Sequence, residues 1–197
     1  MKVLPALDGG RRIAAGRQGE LAPELLHGMF RLRHEVFRVR LGWDVESRDG
    51  MERDVYDDLH PYYVILHDGP GNVLGCCRLL PTAGRYMLGE VPAFRAALGE
   101  RPPPRDRRVW EISRMAVLND GAPPAKGIGD LAAALTVRAA RAVEAAGGDT
   151  LLALVTLGLA RKIRAHDVPV TPLAPPARIA DLTCQAITMP TGVWRSP

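Results

Sequence analysis

The sequence is poor in the residues that hold metals or disulfides. It has three cysteines among 197 residues, and none of them forms a Cys-x-x-Cys pair. Cys76 and Cys77 are adjacent, so in a strand they would point to opposite faces. The five histidines form neither a His-Glu-x-x-His motif nor a cysteine–histidine spacing typical of zinc. We therefore predict no metal site, and buried thiols in a reducing compartment.

Long apolar runs are also missing. No segment approaches the roughly 20 consecutive apolar residues that a membrane-spanning helix needs. The first segment, MKVLPALDGGRR, has too short an apolar run for a signal peptide, and Pro5 interrupts that run. We therefore expect a cytoplasmic protein with no stable membrane association. No block of like charges suggests a basic tail.

Motifs of several large classes of protein are absent. There is no Gly-x-Ser-x-Gly, no Walker loop and no Gly-x-Gly-x-x-Gly. Gly127 and Gly129 precede a predicted helix, where free backbone N–H groups could receive a phosphate or simply belong to a loop. The net charge of +4 is compatible with nucleic acid, acidic lipid or an acidic protein. Because the basic residues do not gather on one recognition helix, we predict no nucleic-acid partner.

What is present is a globular composition, 47% hydrophobic and 24% charged, in a chain of single-domain length. Hydrophobic periodicity and glycine or proline breaks predict a helix at 21–38, strands at 62–67 and 73–81, a short helix at 87–98, a strand at 109–117, a helix at 130–148, a strand at 150–156, a helix at 157–166, and strands near 168–173 and 182–189. A mixed sheet with helices on both faces is the economical arrangement, so we predict an α/β fold.

Carboxylates gather in the polar segment that follows the first helix. The segment contains four of them within seven residues: Glu52, Asp54, Asp57 and Asp58. The ordinary interpretation is a solvated loop. The alternative is a pocket for a cationic ligand, in which Phe37 and Trp43 would add aromatic faces for cation–π contact. Arg33 on the preceding helix could then orient one of the carboxylates.

Charges also interrupt two strands that otherwise look buried. Arg78 lies in VLGCCRLLP, and Glu111 and Arg114 lie in VWEISRMAV. Each needs a partner or a cleft, because burying an unpaired charge is costly. Positions three apart face opposite sides of a regular strand, so a β-bulge is required if Glu111 and Arg114 serve one site. A structural ion pair at a strand edge is the alternative.

These segments together resemble the acyl-homoserine-lactone synthases, the autoinducer synthases of bacterial quorum sensing. The matching phrases are RLRHEVFRVRLGWDV (31–45), ERDVYD (52–57), GCCRLLPTAGRYML (75–88) and VWEISRMAV (109–117). The resemblance is good as far as this last strand and looser beyond it. The residues that fit the family pattern are Arg33, Phe37, Trp43, Asp54, Asp57, Arg78, Glu111 and Arg114.

One position departs from the family pattern. The family usually carries a phenylalanine shortly after the YML segment, where this chain reads GEVPAF. Either Pro92 replaces that phenylalanine or Phe94 supplies the ring from a shifted register.

The resemblance implies a single autoinducer-synthase domain over residues 1–197. Its expected fold is a three-layer αβα sandwich similar to the GCN5-related N-acetyltransferases, with a mixed twisted sheet and a V-shaped cleft between two splayed parallel strands. The implied substrates are S-adenosyl-L-methionine and an acyl chain on acyl carrier protein, with no cofactor. The alternative is a coenzyme A-dependent N-acyltransferase of the same fold, although Pro124 breaks the pyrophosphate-loop signature of that class.

The resemblance also implies roles for individual residues. The implied catalytic residues are Glu111, as general base, with Arg114, Asp54, Asp57 and Arg78. The implied S-adenosylmethionine site consists of Arg33, Phe37, Trp43, Asp54, Asp57 and Arg114. The candidate acyl pocket, or alternatively plain core, consists of Met87, Leu88, Ser113, Met115, Leu154 and Thr156. A threonine at the last of these positions is typical of family members that accept 3-oxo chains. The candidate carrier-protein surface, or alternatively a solvated helix face, consists of Arg138, Arg161, Lys162 and Arg164.

Overall fold

The computed structural model describes residues 10–118, 130–165 and 168–193. The strands within these ranges are β1 (Arg12–Arg17), β2 (Ser47–Arg48), β3 (Met51–Glu52), β4 (Tyr62–Gly69), β5 (Asn72–Pro81), β6 (Val109–Val117), β7 (Thr150–Thr156), β8 (Thr171–Pro172), β9 (Ala177–Ile179) and β10 (Leu182–Pro190). The α-helices are α1 (Pro23–Arg33), α2 (Met87–Glu90), α3 (Pro92–Arg95), α4 (Asp130–Ala145) and α5 (Leu157–Ala165). None of the described helices is both long and apolar enough to cross a membrane.

Eight strands form one mixed sheet in the order β1-β4-β5-β6-β7-β10-β8, with β9 also paired to β10. Helices α4 and α5 cover one face, where residues such as Leu135 and Ile163 pack with Ile112. Helix α1 covers the other face, and α2 and α3 lie beside it on that face. The predicted three-layer αβα sandwich is therefore confirmed. Cys76 and Cys77 point to opposite faces, and both thiols are buried.

A cleft divides the sheet between its two parallel strands. Strands β6 and β7 pair only from Val109 opposite Thr150 to Glu111 opposite Leu152. Both strands continue beyond this point, β6 to Val117 and β7 to Thr156. The two strands therefore separate after Glu111, which lies at the vertex of the predicted V-shaped cleft.

A bulge in β6 reverses the direction of its side chains just past that vertex. Cys76 is opposite Ala116 and Arg78 is opposite Ser113, so two steps along β5 match three along β6. Arg114 takes up the extra residue with a φ of 50°. The consequence is that Ile112 packs on the α4 face and Ala116 on the α1 face, although a regular strand would place them on the same side. The predicted bulge is confirmed.

Some elements differ from the sequence prediction. The helix predicted at 21–38 is α-helical only as far as Arg33. A π-helical segment, His34–Arg40, follows it, a conformation often found at functional sites. The predicted helix 87–98 is divided, because Pro92 starts a new helix instead of continuing α2. Strands β1 and β9 are not indicated by the sequence. Strand β1, RIAAGR, has low intrinsic β-propensity and depends on its pairing with β4. The loop 119–129, with its candidate phosphate-binding glycines, lies outside the described residues.

Candidate active site

Three arginines and three carboxylates meet in one cluster on the α1 face of the sheet, and their formal charges balance. The members of this charged cluster are Arg33, Glu52, Asp54, Asp57, Arg78 and Arg114. They come from α1, β3, β5, β6, and the segment after β3, where Asp57 begins a short 3-10 helix. Three of the four carboxylates of the acidic segment are thus paired with arginines and are not part of a solvated loop, and the pocket for a cationic ligand stays a prediction. Asp58 is the exception, since it is exposed and pairs with Arg53 at the surface.

Asp57 is the anchor of the charged cluster. Its buried carboxylate accepts two hydrogen bonds from Arg33 and one from Arg78, all at 2.9 Å. It also accepts the Tyr63 hydroxyl at 2.8 Å and the backbone N–H of Asp54 at 2.9 Å. Burial alone would raise the pKa of Asp57, but the two guanidinium groups hold it well below its ordinary value. The sequence does not indicate the part played by Tyr63, because YYVILH has two tyrosines and no sign of which hydroxyl is buried.

Arg78 has all five of its N–H groups occupied by the protein. Its Nε donates to the Ser113 hydroxyl at 3.4 Å, and Nη1 donates to Asp54 and to Asp57. Its Nη2 donates to Asp54 at 3.0 Å and to the Met87 sulfur at 2.9 Å. A guanidinium group has five donors and no acceptor, so none is left for a ligand. Arg78 is therefore a supporting residue.

Arg114 combines free N–H donors with partial exposure, whereas Arg33, which donates through three of its five N–H groups, is almost completely buried. The Nε of Arg114 donates to Glu52 at 3.0 Å, Nη1 to the Met87 sulfur at 3.4 Å, and Nη2 lies 2.9 Å from Asp54. The hydrogen bonds to Glu52 and Met87 use two of its five N–H groups, Nη2 forms an ion pair with Asp54, and the described residues offer no other acceptors. The side chains of Arg114 and Asp54 are 11% and 14% exposed, whereas the rest of the cluster is almost completely buried. Arg114 and Asp54 therefore present the accessible edge of the cluster.

An aromatic pair borders this accessible edge. The rings of Phe37 and Trp43 stack with centroids 5.3 Å apart and an interplanar angle of 9°. The Arg114 guanidinium lies 5.6 Å from the centre of the Phe37 ring, which is buried. Trp43 is 39% exposed. A carboxylate and an exposed indole at the same edge form a suitable surface for a cationic ligand.

Glu111 lies apart from the ion pairs. Its carboxylate is 3% exposed and accepts the backbone N–H groups of Met87 at 3.1 Å and Leu88 at 2.7 Å, at the start of α2. No arginine of the described chain lies within ion-pair distance of it. Burial raises its pKa, and the two N–H groups and the more distant Arg78 only partly oppose this. Asp57 and Glu111 thus have pKa values displaced in opposite directions, a pattern that suits Glu111 to accept a proton.

The candidate acyl-pocket residues do not all meet. Met87, Leu88 and Leu154 belong to an apolar group beside the vertex, the cleft-side cluster, whose fully buried members are Tyr56, Leu80, Tyr86, Met87, Leu88, Ala97, Leu98, Leu152 and Ala186. Met115 instead packs on the α4 face, because it follows the bulge. Ser113 accepts from Arg78, and the Thr156 hydroxyl accepts the Leu159 N–H at 3.3 Å at the start of α5.

The structure also places the two candidates for the missing phenylalanine. Pro92 is exposed at the start of α3. Phe94 packs against the cleft-side cluster. Of the two positions, Phe94 is the one with a ring at this cluster, and its equivalence to the family phenylalanine stays a prediction.

The basic side chains predicted to receive a carrier protein are exposed. Arg138 lies on α4, and Arg161, Lys162 and Arg164 lie on α5. Helix α5 follows directly from the end of β7, where the cleft is open. Arg161, Lys162 and Arg164 thus lie on the helix that begins at the open end of the cleft.

Comparison with known proteins identifies the family. Residues 18–192 match the model of the autoinducer synthases. The chain belongs to this family. The acyl-homoserine-lactone synthase of Aeromonas hydrophila is 36% identical over 148 residues, which are 75% of this chain and 70% of that protein. This autoinducer synthase is accordingly an acyltransferase that makes acyl-homoserine lactones.

Solved structures agree with this assignment. The acyl-homoserine-lactone synthase LasI superposes with a TM-score of 0.81 and 32% identity, covering 92% of this chain and 90% of that one. BjaI, a CoA-dependent acyl-homoserine-lactone synthase solved with MTA, gives 0.80 and 29%, covering 92% and 84%. An N-acetyltransferase structure from Lactobacillus plantarum, 14% identical with a TM-score of 0.62, shares the fold alone.

Asp57→Asn tests the anchor of the charged cluster. The variant should lose about 3–5 kcal/mol of unfolding free energy at neutral pH, because it leaves buried guanidinium donors poorly compensated. Since the pKa of Asp57 is lowered by folding, its contribution is complete above the unfolded value near 3.8 and is lost as the pH falls below it. Wild-type stability should therefore fall more steeply than that of the variant in this acid range.

Urea unfolding at neutral pH and at successive acid values measures both effects. Asp58→Asn is the matched control, and this exposed change should alter stability by about 0.5 kcal/mol or less. Equal acid sensitivity in wild type and Asp57→Asn would contradict the anchoring role.

Proposed function

We propose that this synthase transfers an acyl group from acyl carrier protein to the amine of S-adenosyl-L-methionine. The acylated product then closes to the lactone and releases 5′-methylthioadenosine, giving a quorum-sensing signal. The observation that carries the proposal is the accessible edge of the charged cluster, Asp54 and Arg114 with Trp43, next to the buried Glu111 at the cleft vertex. Both substrates bring their own reactive groups, so no cofactor is required.

The accessible edge has the complementary groups for S-adenosylmethionine. The Asp54 carboxylate and the Trp43 ring attract the sulfonium and ammonium charges. The remaining N–H groups of Arg114 match a substrate carboxylate in a forked pair. Arg33, Asp57 and Arg78 stand behind these contacts and hold them in place.

Glu111 serves as the base in this scheme. It takes a proton from the amine, directly or through water, as the amine nitrogen attacks the thioester carbonyl. The carbon–sulfur bond of the thioester breaks, and the carrier thiol leaves with a proton. The substrate carboxylate then attacks the γ-carbon, and the carbon–sulfur bond of the sulfonium breaks to give a neutral thioether. Beyond Glu111 the edge of β6 that faces the cleft no longer pairs with β7, so its N–H groups are available to the thioester oxyanion.

The basic side chains near the open end of the cleft favour acyl carrier protein as donor, because that protein is acidic. The competing donor is an acyl-coenzyme A, which the CoA-dependent relative BjaI makes a specific alternative. The two donors share a thioester arm and differ in the charged body attached to it. A surface charge reversal therefore distinguishes them.

Purified enzyme should be incubated with S-adenosylmethionine and matched acyl chains on carrier protein or on coenzyme A, with products identified by mass spectrometry. We expect lactone and methylthioadenosine in equal amounts, with the higher kcat/KM for carrier-protein donors.

Arg161→Glu combined with Lys162→Glu should raise KM for the carrier-protein donor and leave coenzyme A turnover unchanged. Arg12→Glu, an exposed change at the opposite sheet edge, is the control. Lactone formed only from coenzyme A thioesters would overturn the donor assignment, and an absence of lactone from all donors would overturn the function.

Glu111→Gln tests the base. Turnover should fall about 10²-fold or more, because the amide cannot accept the proton. Wild-type kcat/KM for S-adenosylmethionine should rise with pH through the raised pKa of Glu111 in the free enzyme, so its acid limb should lie above the ordinary carboxyl range, and the variant should lack this limb. Steady-state kinetics across pH, with circular dichroism to verify folding, make the measurement. If a folded variant keeps near wild-type turnover, Glu111 is not the base, and its remaining role is to anchor α2.

Arg114→Lys and Arg78→Lys separate substrate contact from support. Arg114→Lys should raise KM for S-adenosylmethionine about tenfold or more, because lysine cannot form the forked pair. Arg78→Lys should instead lower the unfolding free energy by about 3–5 kcal/mol, since it leaves buried acceptors without donors. Kinetics and urea unfolding on both variants give the result. The reverse distribution of effects would show that Arg78 contacts the substrate.

A further inference from the structure

Met87 joins the two halves of the active site. Its sulfur lies 2.9 Å from Nη2 of Arg78 and 3.4 Å from Nη1 of Arg114, so one thioether accepts from two guanidinium groups. Its backbone N–H donates to Glu111 at 3.1 Å. The side chain is buried. Met87, a candidate for the acyl pocket, thus contacts Glu111 as well as Arg78 and Arg114.

The sulfur meets a specific need of the charged cluster. The other donors of Arg78 are taken by Ser113, Asp54 and Asp57, and the sulfur is the acceptor of its last N–H group. A buried charged donor without an acceptor is strongly unfavourable. A carboxylate at this point would unbalance the three positive and three negative charges. A thioether is a weak acceptor that carries no charge.

The contact also bears on the geometry of Arg114. Its Nε and Nη2 are fixed by Glu52 and Asp54, and the Met87 sulfur fixes Nη1. These three contacts determine the plane of the guanidinium group and hence the direction of its free N–H groups. Because the Met87 N–H simultaneously holds Glu111, the distance between base and guanidinium is set through one residue.

We propose that Met87 is a positioning residue for the S-adenosylmethionine half of the reaction, its sulfur orienting Arg114 toward the substrate carboxylate. This inference rests on the proposed contact between Arg114 and that carboxylate. The competing role is a purely apolar one, in which Met87 contacts only the acyl chain. The two roles predict changes in different kinetic constants.

Met87→Leu removes the sulfur and retains the volume, the apolar surface and the backbone N–H to Glu111. We expect KM for S-adenosylmethionine to rise about fivefold to tenfold, as for loss of one hydrogen bond to a charged group. The change in kcat should be much smaller than the change in this KM, and the ranking of acyl chain lengths should be retained because the apolar surface is retained. Met87→Gln, which restores a neutral acceptor at similar length, should recover most of the lost affinity. Titration calorimetry with S-adenosylmethionine gives an independent measure of binding for each variant.

Two further variants complete the test. Met189→Leu makes the same change in the core of the α4 face and should alter neither constant. Leu88→Ala, in the cleft-side cluster, should change the acyl-chain ranking and leave affinity for S-adenosylmethionine intact.

The outcomes separate the two proposals. A Met87→Leu enzyme with altered chain ranking and unchanged affinity for S-adenosylmethionine would overturn the positioning role. If Arg114→Lys raises KM while Met87→Leu does not, the positioning inference alone fails. If neither variant changes that KM, the assignment of Arg114 to the substrate fails, and the inference fails with it.

Discussion

Three guanidinium groups buried on one face of a β-sheet are the constraint on which the rest of this structure depends. Their charges must be compensated away from water, and three carboxylates with a thioether, a hydroxyl and aromatic faces supply the contacts. These acceptors come from separate parts of the chain. The hydrogen bonds and ion pairs of the arginines therefore hold the acidic segment and α2 against the sheet. The same contacts form the walls of the candidate site.

The bulge at Arg114 makes this arrangement possible. Without the extra residue, Arg114 would face the α4 core, where it would meet apolar side chains and no carboxylate. With it, Arg114 and Glu111 both reach Met87 on the α1 face. A bulge also bends and twists its strand, so a strand bulged on its β5 side does not stay in register with β7. The location of the reactive groups and the opening of the cleft thus follow from one irregularity.

The parts of the site that the sequence predicts are those governed by local rules. Charges within apolar strands need partners, and a three-residue spacing on one face needs a bulge; both rules lead from VWEISRMAV to the observed β6. The role of each arginine could not be predicted in this way. That role depends on counting acceptors, and the acceptors of Arg78 come from the segment 52–57, from Met87 and from Ser113. Strand β1 and the π-helical segment are likewise products of tertiary packing and not of local propensity.

The balance of charge explains how one cluster can both stabilise the fold and bind a substrate. Without a ligand, the three positive and three negative members compensate one another, and a raised pKa keeps Glu111 from adding a further buried charge easily. In the proposed complex, S-adenosylmethionine brings a sulfonium, an ammonium and a carboxylate, a net positive charge. An ionised Glu111 then restores neutrality, so arrival of the substrate favours the form of Glu111 that can accept its proton. The enzyme would thereby avoid an uncompensated buried negative charge in its free state. Glu111 would become an effective base when the amine is present.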